Sequence, residues 1–173
     1  MINAVVYTSN TGYTKQYADL LGKRLNLPVY SLKDAPSAIG DGSEIIYLGW
    51  VMAGKIKGCT KAMKRYKTAA VCGVCMGETG SQLDDMRKAT PLSANIPLFS
   101  LQGGFDIKKL HGVYKFMMNV MAKTVGKKLS EKPDRTPQED SMLDMMLNSG
   151  NYVSEKNLEA VLNWYSAYRS KGE

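Results

Sequence analysis

The chain has 173 residues, 44% hydrophobic and 23% charged, with a formal net charge of +7. That is globular composition, long enough for one domain whose core needs no disulfide or metal staple. No apolar run reaches membrane-span length, MINAVVY is no basic-then-apolar leader, and three cysteines lack framework spacing, so a cytoplasmic chain is expected.

Residues 2–8 read as a buried strand, and 12–25 as an amphipathic helix. Residues 28–32 make a short second strand, and EIIYLGW (44–50) a third. Lysines at helical spacing predict a helix over 55–66, TAAVCGVCMG (68–77) is a fourth strand, and 81–89 a helix. IPLFSLQGG (96–104) is a fifth strand. Strands that are apolar throughout and alternate with helices imply a parallel sheet covered on both faces. Right-handed crossovers then give a doubly wound α/β sandwich.

The last third changes character. Ile107, Leu110, Tyr114, Met117, Met121, Val125 and Leu129 recur at helical spacing and predict one long helix. SEKPDRTPQED is a charged break, after which Thr136 and Pro137 look like the cap and first turn of a helix through MLDMML. A final helix runs over 157–168, with Leu158, Val161, Leu162 and Tyr165 toward the core. The whole chain, 1–173, reads as a single domain with helices inserted at about 106–150.

In open α/β sheets, ligands sit beyond the carboxyl ends of the strands, where the strand order reverses. Here those ends are TSNTGYT, GWVMAGK, CMGETGS and QGGFD, each with at least one glycine. The first leads into a helix N-terminus, where unpaired amides favour an anion. Thr8, Ser9, Thr11 and Thr14 can add hydroxyl donors around Gly12. This is a phosphate site of neutral donors, without the lysine of a nucleoside-triphosphate loop or the glycine triplet of a dinucleotide fingerprint. A monophosphate ligand fits it best. The plain alternative is a hydroxyl that only caps the helix.

These residues resemble a family. TSNTGYT is similar to the phosphate loop of flavodoxins, with the pattern hydroxyl-x-x-Thr-Gly-x-Thr. LGWVMAGKIKG resembles the second flavin loop of the flavodoxin-like branch that includes the menaquinone-dependent protoporphyrinogen oxidases. The resemblance implies a flavodoxin-like three-layer sandwich, its five parallel strands in the order 2-1-3-4-5, and FMN as cofactor. It implies that Thr8, Ser9, Asn10, Thr11, Gly12, Tyr13 and Thr14 hold the phosphate. Trp50, Val51, Met52, Ala53, Gly54 and Lys55 would pass beside the flavin ring, and Met76, Gly77, Glu78 and Thr79 would meet its polar edge. Trp50 and Met52 depart from that branch, which has a small and an aromatic residue there, so either side chain could cover the ring, while Trp50 could equally belong to the core.

Other candidates carry less. CGVC (Cys72 to Cys75) spells a redox pair, but in a strand residues three apart point to opposite faces, so two buried structural thiols are expected. His111 is the sole histidine and reads as a surface residue, and no metal site or catalytic grouping is evident. The methionines at 117, 118, 121, 142, 145 and 146 are first of all core packing, though a Met-rich face also suits apolar ligands. The basic cluster KIKGCTKAMKRYK reads as a solvated face and lacks an RNA-binding signature, so no nucleic-acid partner is expected. Two functions remain. One is a carrier passing electrons through FMN to redox partner proteins; the other is an oxidase of porphyrinogen type with a quinone acceptor. The basic balance would suit a peripheral contact with an anionic membrane.

Overall fold

The computed structural model describes residues 1–106, 122–137 and 150–171, together with 112, 116, 120, 139, 140 and 143. Its centre is a parallel sheet of β1 (Ala4–Thr8), β2 (Val29–Ser31), β3 (Glu44–Met52), β5 (Lys67–Cys75) and β6 (Leu98–Gln102). The order across the sheet is β2-β1-β3-β5-β6. With the hairpin strand β4 (Lys55–Ile56) set aside, these five strands stand in the expected 2-1-3-4-5 arrangement.

The strands carry apolar side chains on both faces because helices cover both. On one face, Val5, Ile46, Leu48, Cys72, Val74 and Leu101 pack with Tyr17 and Leu21 of helix α1 (Tyr13–Leu25). Leu158 and Val161, at the start of the last helix α6 (Glu159–Ser170), complete that layer, and Leu162 and Tyr165 lie against it as expected. On the other face, Ala4, Val6, Ile45, Tyr47 and Val71 meet the short helices α2 (Ala35–Ala38), α3 (Cys59–Arg65) and α4 (Leu83–Ala89) through Ala35, Ala62 and Met86. Cys72 belongs to the first layer and Cys75 to the second, as an extended CGVC segment requires. Burial pushes the Cys72 thiol up to about 12 and raises that of Cys75. In the native chain, Cys59, Cys72 and Cys75 are therefore expected to react with a thiol reagent only at the rate of unfolding; prompt modification would contradict that burial.

The helix expected over 55–66 starts only at Cys59. Ala53 and Gly54 both take positive φ, 49° and 74°, which is the two-residue turn that matches strand twist in a hairpin. The chain thus reverses, and Lys55 and Ile56 pair back onto Met52 and Val51. Lysine spacing says nothing about a turn, so the hairpin was invisible in the apolar pattern. Ala53 is exposed, and its left-handed conformation is strained. Ala53→Asn is expected to raise stability by roughly 1 kcal/mol, read as a higher denaturation midpoint; a lower one would mean the methyl group packs usefully.

The fifth strand stops at Gln102, and Gly104–Phe105 (β7) leaves the sheet to pair antiparallel with Gly150–Asn151 (β8). The inserted segment therefore departs and returns at one point of the core. Tyr152 N donates to the Gly103 carbonyl at 2.9 Å and continues the join. The Tyr17 hydroxyl donates to the Gln102 carbonyl and accepts from Asn157 Nδ2, tying α1, β6 and the C-terminal segment together. Within the insert, residues 122–126 form a π-helical turn leading into α5 (Lys127–Glu131). Thr136 caps the next turn as expected: its Oγ1 accepts from Glu139 N at 3.2 Å, and the Glu139 carboxylate accepts from Thr136 N at 2.9 Å. His111 and Met117, Met118, Met121, Met142, Met145 and Met146 lie outside the described residues, as does most of the long helix expected over 107–129. No helix among the described residues is long and apolar enough to cross a membrane.

Candidate functional site

Register brings three of the four loops side by side. Thr8 pairs with Gly49, Gly49 with Gly73, and Trp50 with Val74, so β1, β3 and β5 end together at their carboxyl edge. Adjacent strands lie about 4.8 Å apart, which places the loops after them within reach of one small molecule. This edge is also where the strand order reverses, between β1 and β3.

The first loop turns at Gly12, with φ of 95°, and enters α1 without a side-chain cap. Gln16 N makes the first bond back to the Gly12 carbonyl, so the opening turn of α1 starts at the loop. Ser9 Oγ accepts from Gly12 N at 3.1 Å, holding the loop closed while its own proton stays available. Thr11 is half-buried, and Thr14 is buried in the first turn. Asn10 is exposed at the rim.

Two members of this loop also make contacts with other elements. The Tyr47 hydroxyl donates to the Lys57 carbonyl at 2.7 Å and lies 2.7 Å from Thr8 Oγ1. A carbonyl can only accept, so the Thr8 hydroxyl gives its proton to Tyr47 and braces the loop from below. Burial raises the Tyr47 hydroxyl far above its ordinary value, and it stays a neutral donor. The Tyr13 ring fills the space beside Gly104, where a Cβ would collide with it, and burial followed by the charge of Asp106 raises its hydroxyl.

The second loop is the β3–β4 hairpin. Val51 packs toward the core, whereas Trp50 and Met52 join neither core layer and stay half-buried at its end. Lys57 Nζ sits 5.7 Å from the Trp50 ring centre, a cation–π contact that steadies the indole beside the first loop. Ala53 and Lys55 are exposed and Gly54 half-buried, with its α-carbon against Asp85 and Ala89 of α4.

The third loop folds over the sheet's outer edge. Thr79 Oγ1 accepts from Gln102 N at 3.0 Å, and Gly80 N donates to the Ser100 carbonyl at 3.1 Å, so the loop covers the open side of β6. Ser81 Oγ donates to the Glu78 carbonyl at 2.6 Å, and Cys75 Sγ to that of Gly77 at 3.6 Å. Met76 and Gly77 are half-buried, with Glu78 exposed.

Beside the first loop, on the β2 side, lies a cleft of about 630 Å³. Thr8, Ser9, Asn10 and Gly12 form one wall, and Lys15, Lys33, Lys61 and Arg65 converge on it from α1, the turn after β2, and α3. Sequence reading missed these cations, because only the fold carries Lys33 and α3 to the loop. The one available signal was that Lys61 and Arg65 stand four apart, on one helix face. Among the described residues, no grouping of histidine, cysteine and carboxylate side chains is arranged to hold a metal ion.

Searches of the curated proteins and of the solved structures gave no match. The family model for the flavodoxin domain matches residues 4–132, from the first strand through α5. With that match over most of its length, and with a doubly wound sheet whose first loop opens an uncapped helix, the chain belongs to the flavodoxin domain family.

Proposed function

We propose that the chain binds FMN and carries electrons through it to a redox partner protein. Flavodoxin-like domains bind flavin, usually FMN. The observation that carries the reading is the first loop: an uncapped helix start at Gly12, in a loop whose sequence brings the Ser9, Thr11 and Thr14 hydroxyls. A ligand that ends in phosphate makes the fullest use of that set. The bound flavin would supply the redox chemistry, and the protein supplies position and electrostatics. The amides and hydroxyls of the first loop hold the phosphate. Trp50 and Met52 offer apolar and aromatic surface toward a ring, and the backbone of Met76 and Gly77 offers hydrogen bonds to its polar edge. Lys57 brings positive charge to the same end of β3.

The second reading is an oxidase of porphyrinogen type that hands electrons to a quinone. It is favoured by the segment inserted after β7, which returns to the site's flank through β8. A substrate-dependent reduction of the flavin would separate it from a carrier.

Thr11→Val/Thr14→Val tests the phosphate assignment. Each hydrogen bond to a charged group is worth roughly 1.5–3 kcal/mol, so the pair should weaken FMN by about a hundredfold or more. Riboflavin, without a phosphate, should lose little. Equal losses for both ligands would remove the phosphate from this loop.

A further inference from the structure

We infer that the basic cleft beside the first loop is a second phosphate subsite, for a ligand bearing a nucleoside diphosphate group. Its lining includes Lys15, Lys33, Lys61 and Arg65 and no carboxylate. Lys15 is paired with Asp19 at 2.7 Å and Arg65 with Asp41, whereas Lys33 and Lys61 have no ion pair among the described residues. Like charges converging on one cavity repel, and an anion between them removes that cost. The remaining wall is Tyr7, Leu32 and Pro36 with one hydroxyl, Ser31, a mostly apolar surface that suits a base or sugar beside the phosphates.

Size and position argue in the same direction. At about 630 Å³ the cleft has the volume of a small-molecule site, far more than one phosphate group fills. It shares Thr8, Ser9, Asn10 and Gly12 with the first loop, but its lining includes nothing from 50–55 or 76–79. A ligand held here therefore extends away from the side where the second and third loops stand. The diphosphate could belong to a flavin dinucleotide whose flavin half occupies those loops, or to a separate nucleotide. The subsite rests on the cleft and its cations and goes beyond the FMN reading.

The test titrates the full chain with ADP, flavin-free and after saturation with FMN, and compares its affinities for FAD and FMN. The same measurements are made on Lys33→Gln/Lys61→Gln, two exposed positions. The expected result is ADP binding, or tighter binding of FAD than of FMN, either one lowered about tenfold or more in the variant while FMN affinity holds. ADP bound alongside FMN identifies a separate nucleotide; a preference for FAD identifies the tethered one. The subsite is overturned if ADP fails to bind and FAD shows no advantage, or if either survives the substitutions. It is also overturned if FMN weakens in step, since the lysines would then serve the flavin's own phosphate. Should no flavin bind while ADP binding still depends on Lys33 and Lys61, the FMN reading falls and the subsite stands.

Discussion

A Gly58→Ala chain is expected to lose about 3 kcal/mol or more of stability, and with it the geometry of the first loop. Gly58 has a φ of 79°, a conformation that costs an L-residue roughly 1–2 kcal/mol. A Cβ there would also collide with the Tyr47 hydroxyl and with Thr8 Oγ1. Relieving such a clash in a packed interior costs roughly another 1–3 kcal/mol. The colliding atoms are the ones that join the loops: Tyr47 holds the Lys57 carbonyl of the second loop and meets Thr8 of the first. Ligand affinity should therefore fall together with the denaturation midpoint. A variant with less than about 1 kcal/mol of loss and full affinity would show that Tyr47 can swing aside freely.

Acid should destabilise the fold through Glu44, at the opposite end of β3. Burial alone would raise this carboxyl, but hydrogen bonds from Lys67 and Tyr168 and the Met1 ammonium outweigh it and hold it at about 2. The contacts are Lys67 Nζ at 2.8 Å, the Tyr168 hydroxyl at 2.8 Å and the Met1 nitrogen at 3.2 Å. In the unfolded chain the carboxyl returns to its ordinary value near 4.5. Between those values the unfolded state binds more protons, so unfolding free energy rises with pH. The contribution is complete above about 4.5 and disappears as pH falls toward about 2, a loss of about 3 kcal/mol. Glu44→Gln should be less stable at neutral pH and should flatten that acid limb, with ligand affinity unchanged because the site is at the other end of the strand. An acid limb as steep in the variant as in the parent would assign the loss to other groups.

The fold was legible where one physical signal dominated. Strands apolar on both faces mark a sheet covered twice, and the five parallel strands stand where that pattern put them. Thr136 could be read as a cap because Pro137 follows it and its bonding partner, Glu139, is local. The β3–β4 hairpin could not, since its turn uses Ala53 at positive φ, a residue that gives no turn signal. The β7–β8 pair could not be read either. Its strands have two residues each and join positions far apart in the chain. The glycine turn that opens α1 was legible in the first loop, at Gly12. The bond between Thr8 and Tyr47 was not legible, because Tyr47 comes from another strand. For the same reason the cations around the cleft were invisible: Lys33, Lys61 and Arg65 meet Lys15 only through the sheet order. Local chemistry is written in the sequence, and convergence from separate elements is not.

The most direct measurement of the central claim is a pair of titrations of the flavin-free chain, one with FMN and one with riboflavin, followed by flavin fluorescence. The account predicts saturation at one FMN per chain and affinity for riboflavin weaker by about a hundredfold or more, the worth of the phosphate's hydrogen bonds in the first loop. Equal affinity for the two flavins, or no binding of either, would contradict it.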